Sequence, residues 1–76
     1  MYKGPGTYRH HKGKLYFVIG LALDANSGET CVLYVPLYEA GWSGFFVRQI
    51  GGPEGFNTDI PVKDGGMIER FLKCVD

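Results

Sequence analysis

Leu15-Tyr16-Phe17-Val18-Ile19-Gly20-Leu21-Ala22-Leu23-Asp24, then Ala25-Asn26-Ser27-Gly28-Glu29, then Thr30-Cys31-Val32-Leu33-Tyr34-Val35-Pro36-Leu37-Tyr38: this stretch decides the fold. Two runs rich in apolar, β-branched and aromatic residues flank a polar, glycine-bearing turn, which is the pattern of a β-hairpin. A three-residue loop Asn26-Ser27-Gly28 would place Gly28 in the left-handed conformation that closes a type I turn with a bulge. Ala25 then pairs with Glu29, and the odd-numbered residues of both strands share one face. Both faces of this hairpin are apolar, so both need cover. Pro36 has no N–H to donate, so the far end of the second strand must be an edge or a bulge.

Working outward, Met1 to Gly6 reads as a loose lead-in and Thr7 to His10 as a short strand turning at Lys12-Gly13-Lys14. On the other side, Glu39 to Gly44 is a loop around Trp42, and Phe45 to Ile50 is a third strand. Residues 51–55, Gly-Gly-Pro-Glu-Gly, read as a flexible tip or lid. Asp64-Gly65-Gly66 is a turn signal, which favours strand over helix for Met67 to Val75. The expectation is one all-β domain over residues 1–76, a small antiparallel SH3-like β-barrel or roll of five to six strands.

The chain resembles the domain-of-unknown-function 1653 family. The resemblance rests on Tyr8-Arg9-His10, Lys12-Gly13, Tyr16, Val18, Gly20 and Ala22, then on Glu29, Val32, Tyr34 and Leu37-Tyr38. Val47-Arg48 matches a Trp-Val-Arg element, with Phe46 in the place of Trp, and Val62 to Gly65 with Arg70-Phe71 resembles a closing hairpin. The resemblance implies a compact β domain of bacterial or phage-like origin and brings no activity with it. Phe17, Leu23 and Val35 stand where the family commonly has polar or charged residues, and Gln49 to Asn57 is longer and richer in glycine.

Formal net charge is zero, which argues against a general nucleic-acid coat, but the charge is unevenly spread. Lys3, Arg9, Lys12 and Lys14 meet no acid in residues 1–14, so the rest of the chain is acidic by the same amount. Such asymmetry marks a contact for anions or nucleic acid, or a solvated charged edge. Cys31 and Cys74 lack the spacing of a metal knuckle and read as reduced thiols of a cytoplasmic protein. The longest apolar run, Leu15 to Leu23, is too short to cross a membrane as a helix, and no secretory leader is visible.

His10 and His11 are adjacent, so on a strand they point to opposite faces and do not chelate one metal together. A Cys31–His10 nucleophile pair lacks an orienting third group. With no paired acid and base, nucleophile elbow or phosphate-cradling glycine loop, the expectation is a non-enzyme without cofactor or metal. The better constellation is basic and aromatic. Tyr8, Arg9, His10, Lys12, Tyr38, Trp42 and Arg48, with Lys14, Tyr16 and Phe46 beside them, suit a nucleic acid, a nucleotide or an extended peptide. The competing reading has Trp42 folding back to plug the core while Arg9 and Arg48 pair with Glu29 and Glu39. The expected function is therefore a small non-catalytic binding module. The alternative is an interaction protein acting through a homodimer, joined by Phe17, Leu23 and Val35.

Overall fold

A computed structural model describes residues 1–74. Among them are seven strands and no helix: β1 (Gly6–His10), β2 (Leu15–Leu23), β3 (Thr30–Pro36), β4 (Phe46–Gln49), β5 (Ile60–Pro61), β6 (Met67–Ile68) and β7 (Phe71–Lys73). Five form an antiparallel sheet in the order β4-β3-β2-β1-β7, and β5 pairs with β6 in a separate two-stranded sheet. The Asp64-Gly65-Gly66 turn joins that small hairpin, with the Val62 N–H on the Gly66 carbonyl. The strand reading of residues 67–75 holds over Met67–Ile68 and Phe71–Lys73, while Val75 lies outside the described residues.

The all-β expectation is met, but the barrel does not close. β4 and β7 are the two ends of the sheet and do not pair with each other. Side chains fill the seam between them. The Arg48 guanidinium on β4 lies 5.5 Å from the Phe71 ring on β7, and the Phe56 ring stacks on Phe71 at 4.2 Å. The core is correspondingly aromatic: Tyr8, Tyr34, Phe56 and Phe71 are buried with Val18 and Val32. Aromatic rings bury a large area each, which is how so short a chain assembles a core at all.

The central hairpin forms with a register one step from that expected. Asp24, not Ala25, faces Glu29, with the Asp24 N–H on the Glu29 carbonyl at 2.9 Å. The Asp24 carboxylate accepts the N–H groups of Asn26 and Ser27, an Asx turn that lengthens the loop by a residue. Gly28 takes the left-handed conformation expected of it, at φ 74°. A bulge between Val18 and Gly20 then shifts the pairing again. Phe17 therefore lies directly opposite Val35, but Leu23 lies opposite Thr30. Because faces alternate along a strand, Phe17 and Val35 share a face and Leu23 takes the other. The expected three-residue patch is corrected to the Phe17–Val35 pair.

Two segments read as loose are fastened. Tyr8 Oη accepts the Lys3 N–H at 2.7 Å and donates to the Gly4 carbonyl at 2.8 Å, while Tyr2 N–H donates to the Asn57 side chain. The N-terminal ammonium meets Glu69 at 2.6 Å. The 51–55 loop is held by Gly55 N–H on the Gly52 carbonyl and Phe56 N–H on the Gln49 carbonyl. Gly55 is buried, and a Cβ there would lie 2.4 Å from the Gly51 carbonyl oxygen, so the turn needs glycine. Among the described residues no helix is long and apolar enough to cross a membrane. Cys31 and Cys74 are both free.

Candidate functional site

The open seam of the sheet is a cleft of about 470 Å³ lined by His10, His11, Lys12, Lys14, Tyr16, Tyr38, Arg48, Glu54 and Arg70. Backbone pairing brings these segments together. The β1–β2 turn closes with His10 N–H on the Lys14 carbonyl at 2.8 Å, which presents Lys12 and Lys14 at one wall. The His11 N–H donates to the Arg70 carbonyl at 2.9 Å, drawing the start of β7 to the same place. The Leu37 N–H donates to the Leu15 carbonyl at 3.0 Å and carries Tyr38 alongside Lys14. The Lys14 ammonium sits 4.7 Å from the centre of the Tyr38 ring.

The four cations differ in what holds them. Arg48 donates to Tyr34 Oη at 3.2 Å and to the Glu54 carbonyl at 2.7 Å. Arg70 donates to the carbonyls of Gly55 at 2.9 Å and Pro53 at 3.3 Å. Both guanidiniums thus pin the 51–55 loop across the seam through neutral acceptors, so their charge stays uncompensated. They make no ion pair with Glu29 or Glu39, and Glu29 instead accepts from the Gln49 side chain. Among the described residues Lys12 and Lys14 likewise form no ion pair. One carboxylate, Glu54, shares the cleft with four cations.

His10 registers this field. Burial first, then the neighbouring His11, Arg48, Arg70 and Lys12, push its imidazole down to a pKa of about 4. Its Nδ1 accepts the Lys12 N–H at 3.2 Å, as a neutral imidazole does. Tyr16 moves the other way, to about 12, chiefly by burial and then by its hydrogen bond with Tyr38, at 2.7 Å between the hydroxyl oxygens. Both shifts describe a partly dry site that disfavours a change of charge.

The sequence-predicted residues divide. His10, Lys12, Tyr38 and Arg48 meet in the cleft. Tyr8 does not: its ring is wholly buried and its hydroxyl is spent on the lead-in, so its place as a ligand contact is corrected to the core. Arg9 lines a different groove, with Ile68 and Leu72, because β1 alternates and sends it to the other face of the sheet. Trp42 is 59% exposed, so it does not plug the core, but it also lies apart from the cleft lining. Its indole N–H donates to the Phe45 carbonyl at 3.3 Å, and its ring covers Gly44. His11, Glu54 and Arg70 were missed. Arg70 reaches the cleft only because β7 pairs with β1, a long-range pairing that no local pattern announces.

The expectation that the two histidines diverge is also corrected. Strand β1 ends at His10, so His11 belongs to the turn and its ring returns to 4.3 Å from that of His10. The described residues nevertheless hold no group of three His, Cys, Asp or Glu side chains arranged to bind a metal. Cys31 is remote from this chemistry in the ladder, opposite Ala22 and Gln49, and its thiol points to the Glu29 carbonyl.

Fold and site together define a small open-sheet β domain with a cationic, aromatic seam. The chain belongs to the family described as a protein of unknown function (DUF1653), whose profile matches residues 6–73. A crystal structure of a DUF1653 protein from Bordetella bronchiseptica is similar over 96% of this chain and 87% of that one, with 29% identity and a TM-score of 0.78. No curated protein matches the chain at a significant level.

Proposed function

We propose that this protein is a non-catalytic binding module that holds single-stranded nucleic acid across the seam cleft. One observation carries the reading: in a chain of zero net charge, Lys12, Lys14, Arg48 and Arg70 converge from three separate segments on one cleft with one carboxylate. Phosphates meet the cations, and bases stack against Tyr38 and the His10–His11 rings, the combination that single strands use without reading sequence. A nucleotide would occupy part of the same cleft. The neutral His10 and the high pKa of Tyr16 support binding over proton transfer, since neither group is poised to change charge near neutral pH. The two free cysteines support a cytoplasmic setting.

The test is the salt dependence of binding to a fluorescent oligothymidylate. Each phosphate contact on a single strand contributes about −0.7 to the slope of log K against log salt. Lys12→Gln with Lys14→Gln removes two cations that hold no loop carbonyl, so the slope should shrink by about 1.4. Glu54→Gln should tighten binding. No binding by the wild-type protein at low salt, or a slope unchanged in the double variant, overturns the proposal.

A further inference from the structure

The side of the sheet that faces away from the cleft is covered only in part, by Ile68 beside Arg9 and Leu72. Register places Leu15, Phe17, Leu33, Val35, Val47 and Leu72 on it, from four of the five strands, with β1 contributing Thr7 and Arg9. Phe17 is 41% exposed, Val47 60% and Leu72 56%. The open side of an antiparallel sheet is ordinarily polar. Here Arg9, between Leu15 and Leu72, is the charged residue within the strands of that face, while the Asp24–Glu29 pair brings acid to its far end, where Glu29 meets Gln49.

We infer that this face is where two copies of the chain pack back to back. Five strands at about 4.8 Å and five residues at about 3.3 Å give roughly 400 Å² in plan per copy. Two faces therefore contribute roughly 800 Å² in plan, and more in accessible area, within the weak, transient class of interfaces below about 1,200 Å². That area suits a dimer of modest affinity. Between Arg9 and the acidic Asp24–Glu29 end the face is apolar, and two twisted sheets with such faces pack against each other directly, at about 10 Å. The cleft residues Tyr16, Arg48 and His10 occupy the alternate positions of the same strands, so the dimer leaves both clefts open and facing outward. Two outward clefts would let one long polyanion engage the dimer twice only by wrapping around it, and would let two strands be held at once.

Sedimentation velocity from about 5 to 500 µM tests this without any ligand. The expected result is a mass rising from one chain to two across that range. Phe17→Glu should weaken association at least tenfold. Val47→Glu, at a more exposed position on the edge strand β4, should do the same and guards against a misfolded Phe17 variant. Lys12→Gln with Lys14→Gln should leave association unchanged, so failure of the cleft reading and failure of this one are separable. Wild-type protein that stays one chain at 500 µM overturns the inference. So does a dimer that survives both glutamate substitutions, or one that forms only when an oligonucleotide or a lipid vesicle is added.

Discussion

Replacing Phe56 should be among the most damaging single changes in this domain. Its ring is fully buried, stacked on Phe71 at 4.2 Å and met edge-on by Tyr8 at 5.3 Å. It lies just beyond the loop whose carbonyls hold Arg48 and Arg70, so it supports the cleft as well as the core. Phe→Ala at such a site costs about 3–5 kcal/mol. Cores in chains under about 70–80 residues rarely supply more than about 3–5 kcal/mol in total. Phe56→Ala should therefore leave the chain largely unfolded at 25 °C. Phe56→Leu keeps most of the volume but loses the stack, worth about 0.5–1.5 kcal/mol beyond area. At about 4–8 °C per kcal/mol for a domain of this size, Tm should fall by roughly 2–12 °C. Thermal melts followed by circular dichroism read both. An alanine variant melting within two or three degrees of wild type would show that Phe56 does not seal the seam.

Tyr8→Phe removes the hydroxyl that holds Lys3 N–H and the Gly4 carbonyl, and should cost about 1–2 kcal/mol in urea unfolding while exposing the lead-in to hydrogen exchange. Gly55→Ala should cost about 1–3 kcal/mol, because its Cβ meets the Gly51 backbone, whereas Gly51→Ala, with open space around it, should lie within about 0.5 kcal/mol of wild type. For His10, the unfolded imidazole protonates near pH 6.5 and the folded one near 4. The unfolded chain thus binds the extra proton between those values, and stability should be full above pH 6.5 and fall as pH drops toward 4. The loss is on the order of 1 kcal/mol once solvent screening of a partly exposed ring is allowed for, and His10→Asn should flatten it in urea titrations across that window. A bound phosphodiester would offset the surrounding cations and raise the His10 pKa, so affinity should rise as pH falls from 7 to 5, a trend the same variant should lose.

The alternating apolar and aromatic runs of Leu15–Leu23 and Thr30–Pro36 were legible because period-two patterning is a local property. The register was not, because it turned on an Asp24 side chain capturing two backbone N–H groups and on a bulge beside Gly20. One-residue slips reverse faces, which is how Leu23 left the patch that Phe17 and Val35 kept. Barrel closure was misjudged for a related reason. Whether β4 reaches β7 depends on what fills the seam, and the filler, Phe56, follows directly on the 51–55 stretch whose glycines read as a flexible tip. The same stretch hid the site's logic. Arg48 was readable as a cation in an aromatic setting, but its pairing with loop carbonyls, and the arrival of Arg70 from β7, are products of tertiary packing. Tyr8 misled in the opposite sense: a tyrosine beside Arg9 and His10 suggested a stacking surface, while alternation buried it.

Backbone and side-chain amide shifts of the protein, followed by NMR as an oligothymidylate is added at low salt, would locate the ligand directly. Binding in the seam requires the largest shifts at His10 to Lys14, Tyr38 and the side-chain N–H groups of Arg48 and Arg70, with Phe17, Val47 and Leu72 on the opposite face little changed. Shifts centred on Arg9, Leu72 or Trp42, or none at millimolar oligonucleotide, would contradict a cleft-centred site.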